Sequence, residues 1–330
     1  MVRTWKNSDE LRLSCSFALF LKYLKSFSAC SLLNFLQLAM TDRHRIELPN
    51  LQLSYLSWGQ GKELVLCLHG MADCGLVWSH FGEFLTAQSD RYCVVAPDLR
   101  GHGESTKPID NYSFESIIDD LEGLMLSLSW QNAHIIAHSW SAKTASLWAQ
   151  QAPQRFRSLI FVDPFFMGRF PLWVRLTFPL FYRVLPFLKI VGTFPSYAEA
   201  ERIARTLKQY RDWTPFQEVV FRATLTEQPD GSWSSKFPIH ARNLIFEEIL
   251  GIDGLTKPIT LPSLFVQPKQ GLNQAEWQLK PYKTYCSNLQ ICKVDGNHWA
   301  FLVAPELFNQ VISQFLSNIQ CELGDPKKSA

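Results

Sequence analysis

Several signatures are missing from this chain, and each absence removes a class of chemistry. No stretch matches a P-loop, a G-x-G-x-x-G turn or an EF-hand, so no nucleotide cofactor is indicated. The eight cysteines, at 15, 30, 67, 74, 93, 286, 292 and 321, never fall at C-x-x-C spacing. Cysteine and histidine do not cluster as zinc ligands, and no metal is expected. Cys67 and Cys93 lie in apolar runs, where a free thiol acts as a small hydrophobe, so a reducing, cytoplasmic setting is the simpler expectation. There is no basic block, and the net charge is only +2, which gives no reason to expect nucleic acid. No uninterrupted apolar run of about 18 residues occurs, which argues against a spanning helix.

What the chain does have is apolar mass: 330 residues, 47% hydrophobic and 13% aromatic, enough for one large core and a lid. Apolar strand patterns alternate with helical ones, which implies a mostly parallel sheet. Arg45 to Trp58 reads as two antiparallel entry strands, Ser113 to Leu128 as an amphipathic helix, Ser141 to Gln151 as another, and Pro305 to Ile319 as a C-terminal helix.

The most informative segment is Ala133-His134-Ile135-Ile136-Ala137-His138-Ser139-Trp140-Ser141-Ala142, an apolar strand running into a serine flanked by small residues and then a helix. A serine on a sharp strand-to-helix turn needs little bulk two positions to either side, and Ala137 and Ser141 meet that need where glycine is commonest. The amide of Trp140 would point at the same spot as the Ser139 hydroxyl. Three further segments accompany it. Glu63–Leu68 is a buried-type strand ending in His69-Gly70-Met71. Tyr92–Pro97 leads into Asp98-Leu99-Arg100-Gly101-His102-Gly103-Glu104-Ser105. Asp295-Gly296-Asn297-His298-Trp299-Ala300-Phe301 places a histidine before the last helix.

In this order, these four motifs resemble the α/β-hydrolase fold family over roughly Arg45 to Ile319. The resemblance implies a mostly parallel sheet flanked by helices, a helical cap inserted after the sixth strand, and acyl transfer. Ser139 would be the nucleophile and His298 the base. The amides of Met71 and Trp140 would hold the oxyanion. His69 and His102 sit in family loops, where structural hydrogen bonding is the simpler role, and His138 reads as a packing neighbour of the nucleophile. The acid is where this chain departs from the family. After Pro262–Val266, where most relatives carry it, comes Gln267-Pro268-Lys269-Gln270-Gly271-Leu272-Asn273-Gln274, with no carboxylate before Glu276. Asp163, at the end of Ser158–Val162, is the alternative, since branches such as haloalkane dehalogenases carry their acid there. Glu276, Asp253 and a triad without a carboxylate stay open. Dehalogenases and epoxide hydrolases of this fold attack with aspartate, whereas position 139 is serine, so their alkyl-enzyme chemistry is not expected.

Domain organisation follows the same resemblance. Residues 41–163 and 258–320 would form the core, 164–257 a cap and 321–330 a polar tail. Within the cap no buried strand is evident. Tyr197–Tyr210 and Pro215–Thr226 read as helices, and Pro229-Asp230-Gly231 as the turn of a short ribbon. Its front, Phe165 to Gly192, is aromatic, and its only charges are Arg169, Arg175, Arg183 and Lys189. Phe165, Phe166, Phe170 and Trp173 are the candidate substrate contacts, although these aromatics could equally serve to pack the cap on the core. Residues 1–40 have three readings: a targeting segment, an amphipathic surface helix, or an extension ahead of a start at Met40. The chemistry expected is hydrolysis of a carboxylic ester with an apolar acyl group. A weakly active relative that binds an apolar ligand is the alternative, as is cleavage of an amide, thioester or carbon–carbon bond. The partner is then a small apolar ester, and peripheral membrane contact through the cap or N-terminal segment is the further expectation.

Overall fold

A computed structural model describes residues 42–183 and 185–323; the readings made for residues 1–40 lie outside them. An eight-stranded sheet forms the centre, in the order β1-β2-β4-β3-β5-β6-β10-β11. Its strands are β1 (Asp42–Leu48), β2 (Leu51–Trp58), β3 (Glu63–Leu68), β4 (Tyr92–Pro97), β5 (Ala133–His138), β6 (Phe156–Val162), β10 (Ser263–Gln270) and β11 (Leu289–Asn297). Only β2 runs against the rest, pairing antiparallel with both β1 and β4. Every residue of β5 is buried, as a central parallel strand covered on both faces requires. The edge strand β1 is mostly exposed instead.

Helices α1 (Ser79–Gln88), α2 (Phe114–Ser127) and α3 (Ser141–Gln151) connect the first strands, and α10 (Pro305–Leu323) closes the chain against α1. The start of α2 is set by Ser113, whose hydroxyl accepts the Ser116 amide at 3.2 Å. The loop after β4 is organised by Asp98, fully buried. Its carboxylate accepts the amides of Gly75 (2.7 Å) and Glu104 (2.8 Å) and pairs with Arg43 at 2.6 Å. Arg100 donates to both oxygens of Asp120 at 2.6 and 2.7 Å, tying the same loop to α2.

The segment between β6 and β10 carries α4 (Leu172–Thr177), α5 (Tyr197–Ala204), α6 (Pro215–Ala223) and α7 (Ile239–Gly251). It also holds a small sheet: the short ribbon expected around Asp230-Gly231 forms as β8 (Leu225–Glu227) and β9 (Trp233–Ser235), and β7 (Thr193–Phe194), which the sequence reading did not give, adds a third strand in the order β7-β9-β8. The helix expected to reach Thr226 stops at Ala223, because Leu225–Glu227 pairs across the Asp230-Gly231 turn with Trp233–Ser235. Strand pairing outweighs helical propensity there. The Lys143 ammonium, from α3, fixes this insertion to the core by donating to the carbonyls of Gly168 (3.0 Å), Ile249 (2.7 Å) and Ile252 (2.7 Å). At the C-terminus the helix runs to Leu323, past the start of the polar tail read from sequence.

Among the described residues no helix is long and apolar enough to cross a membrane, and no cluster of metal-ligating side chains occurs. Helices α8 (Glu276–Tyr285) and α9 (Ala300–Val303) complete the fold around β11.

Candidate active site

Ser139 sits between β5 and α3 with φ of +59°, a left-handed conformation that costs a non-glycine residue energy and lifts its hydroxyl out of the turn. The turn is fastened below by Ser141, fully buried, whose hydroxyl donates to the His138 carbonyl at 2.8 Å and lies 3.2 Å from that of Leu68. A serine therefore does at this position what glycine cannot, bridging the ends of β3 and β5.

His298 follows β11 in a turn, so its ring faces the end of β5. The Ser139 hydroxyl donates to His298 Nε2 at 3.0 Å, and His298 Nδ1–H donates to Asp163 Oδ2 at 2.7 Å. Asp163, at the end of β6, is fully buried and also has a positive φ, +36°. Its carboxylate is cradled by the loop after β10. The Leu272 amide donates to Oδ2 at 2.8 Å, and the Asn273 side-chain amide donates to Oδ1 at 2.8 Å and to the Pro164 carbonyl at 2.8 Å. Gly271 is obligatory here, since a Cβ would stand 2.5 Å from Asp163 Oδ2. The loop that lacks an acid thus supplies donors to the acid on the neighbouring strand. The other candidate carboxylates are elsewhere: Asp253 accepts the Arg169 amide at 2.7 Å, and Glu276 is 75% exposed and paired with Lys283.

The Met71 and Trp140 backbones flank Ser139 at the floor of a cavity of about 480 Å³. Neither amide has a hydrogen-bond partner among the described residues, which leaves both free to donate to a substrate oxygen. Beneath Ser139 and His298 lies a layer built on His138, expected from sequence as a packing neighbour, and on Asp73, which the sequence did not single out. His138 Nε2–H donates to the His298 carbonyl at 2.9 Å, and its Nδ1, buried and without a hydrogen-bond partner, faces Asp73 Oδ2 at 3.8 Å. Burial holds His138 neutral, well below the ordinary imidazole range, and pushes the Asp73 carboxyl up to about 7, against the donation from Trp299 Nε1. Gly70 permits this layer, because a Cβ would meet His138 Nδ1 at 2.6 Å. His69 and His102 are held inside loops: His69 Nε2 accepts the Leu99 amide at 3.0 Å while burial lowers its pKa to about 4, and His102 Nδ1 donates to the Arg100 carbonyl.

Of the aromatic candidates, Phe165 lines the cavity, but Phe166 and Phe170 line a separate apolar cleft of about 330 Å³ beside Trp277. Trp173 is 70% exposed and touches neither. The break at Pro171 starts a helix that turns Trp173 away from the core. The apolar wall is instead built by Phe187, Leu207, Phe246, Ile249 and Leu272, with Lys208 and Arg211 on the same lining. These positions lie far apart in sequence, from Phe187 to Leu272, and no local pattern ties them together.

The family model described as alpha/beta hydrolase fold matches residues 63–255, more than half of the chain. The chain belongs to the α/β-hydrolase fold family. Epoxide hydrolase 1 of Caenorhabditis elegans is 25% identical over 303 residues, covering 84% of this chain and 71% of that protein. Epoxide hydrolase 4 of Mus musculus is 34% identical over 123 residues, 36% of this α/β-hydrolase and 33% of the mouse protein. Among solved structures, an E-2-(acetamidomethylene)succinate hydrolase superposes with a TM-score of 0.70 at 21% identity, covering 84% of this chain and 99% of its own. A marine microorganism esterase does so at 0.64 and 23%, covering 80% and 99%. These likenesses establish the architecture, and this α/β-hydrolase is accordingly placed among the hydrolases.

Proposed function

We propose that this hydrolase cleaves carboxylic esters with an apolar acyl group through a serine acyl-enzyme. The observation that carries the reading is the continuous chain Ser139–His298–Asp163, with links of 3.0 and 2.7 Å, at the floor of an apolar cavity. Ser139 Oγ attacks the ester carbonyl as its proton passes to His298 Nε2. The amides of Met71 and Trp140 hold the oxyanion, and Asp163 stabilises the imidazolium. Collapse expels the alcohol, which takes the proton from His298. Water, deprotonated by the same ring, then releases the acid and restores the serine.

The relatives named epoxide hydrolase do not carry their chemistry over to this chain. An aspartate nucleophile forms an ester with the substrate's carbon, whereas a serine hydroxyl is suited to acyl groups. The test is fluorophosphonate labelling read by intact mass, with Ser139→Ala as control. Stoichiometric labelling that the mutant loses supports the serine–histidine pair. Absence of labelling on folded protein would overturn it in favour of an inactive ligand binder. A panel of matched ester, thioester and amide substrates then tests the bond cleaved.

A further inference from the structure

Scattered single apolar side chains on a protein surface are ordinary, but four within nine residues, Leu172 to Leu180, are not. Leu172 is 65% exposed, Trp173 70%, Leu176 73% and Leu180 74%, all on α4 and the turn that follows it. From Pro164 to Ala198 the sequence contains no aspartate or glutamate, while it carries Arg169, Arg175, Arg183 and Lys189. The nearest acids sit at the base of the segment. Asp253 is occupied with the Arg169 amide, and Glu248 lies beside Arg175. An exposed apolar patch with a tryptophan in it, on a segment whose only charges are basic, matches the chemistry of the bilayer interface, where apolar side chains enter the acyl boundary and cations meet anionic headgroups. The same segment continues into Leu185, Pro186 and Phe187, which line the catalytic cavity.

We infer that residues 169–180 dock this protein on an anionic lipid bilayer. The docking is read by binding alone, so it stands or falls independently of the ester reading.

The experiment is cosedimentation of the full chain with vesicles of phosphatidylcholine alone and of phosphatidylcholine mixed with phosphatidylglycerol. The expected result is retention on the mixed vesicles, weakened by added salt and poor on phosphatidylcholine alone. The Leu176→Asp/Leu180→Asp double variant should lower the partition coefficient at least about tenfold while its circular dichroism and melting stay unchanged. Arg169→Glu with Lys189→Glu should remove the preference for anionic vesicles. Three results overturn the inference. One is no retention of the full chain. A second is retention undiminished in the leucine variant, which assigns binding to residues outside 169–180. The third is a concentration-dependent dimer that the leucine variant abolishes, which assigns the face to a second copy of the chain.

Discussion

Asn273 holds Asp163 in place from the loop after the adjacent strand, β10. Its side-chain amide donates at 2.8 Å both to the carboxylate and to the carbonyl of Pro164, the next residue in the chain. The carboxylate is thereby fixed from two sides in the orientation that meets His298. Asp163→Asn should fold normally, because it keeps the size of the buried group. Its kcat on an apolar p-nitrophenyl ester should fall by at least about a hundredfold, as an amide cannot stabilise the imidazolium. Steady-state kinetics with unchanged turnover would remove Asp163 from the mechanism.

Asn273→Ala leaves the Leu272 amide on the same carboxylate, so the loss should be smaller: about tenfold in kcat with little change in KM. A change confined to KM would mean that Asn273 shapes the cavity rather than orienting the acid.

Burial raises the Asp73 carboxyl to about 7, so between roughly pH 4 and 7 the folded protein holds a proton that the unfolded chain has released. That contribution to stability is full at low pH and is lost as pH rises through this window. Burial is the cause, and it outweighs the donation from Trp299 Nε1, which favours the charged form. Asp73→Asn should therefore lose more unfolding free energy than wild type on acidification from pH 7 to 5, because the variant lacks this contribution. Parallel denaturant titrations at several pH values check this, and identical slopes for the two proteins would contradict it.

Lys143→Met removes the donor shared by three cap carbonyls, each left without its partner, and should cost about 3 kcal/mol. Burial drives its ammonium down to about 7, yet all three acceptors favour the charged form. Limited proteolysis should find cleavage between residues 164 and 252 accelerated more than cleavage in the core. Equal acceleration throughout would mean that Lys143 supports global stability and does not hold the cap specifically.

The cavity walls predict acyl preference. Activity on p-nitrophenyl esters should rise from acetate toward octanoate by about fourfold in kcat/KM per methylene, the equivalent of about 0.8 kcal/mol. A strict preference for acetate would refute an apolar acyl pocket.

Much of this architecture was legible in local pattern. The buried runs at β3 and β5, the small residues around Ser139 and the amphipathic pattern of α2 are short-range signals, since each depends on neighbours along the chain. The cap was harder to read. Two- and three-residue strands such as β7 and β8 are too short to leave a periodic signal, and Trp173 faces solvent because the chain breaks at Pro171, a direction that composition alone does not reveal.

The strand-to-helix turn at Ser139, the histidine that follows β11 and the alternation of strand and helix are encoded in contiguous residues and could be read without the structure. Only the tertiary structure decided that the carboxylate meeting His298 comes from β6, 135 positions earlier in the chain, and that the loop after β10 receives it with amides instead of replacing it. It likewise decided which aromatics line the cavity and which face solvent. Parallel strands bring distant chain ends side by side, so contacts between neighbouring strand ends follow sheet order, which spacing along the sequence does not record.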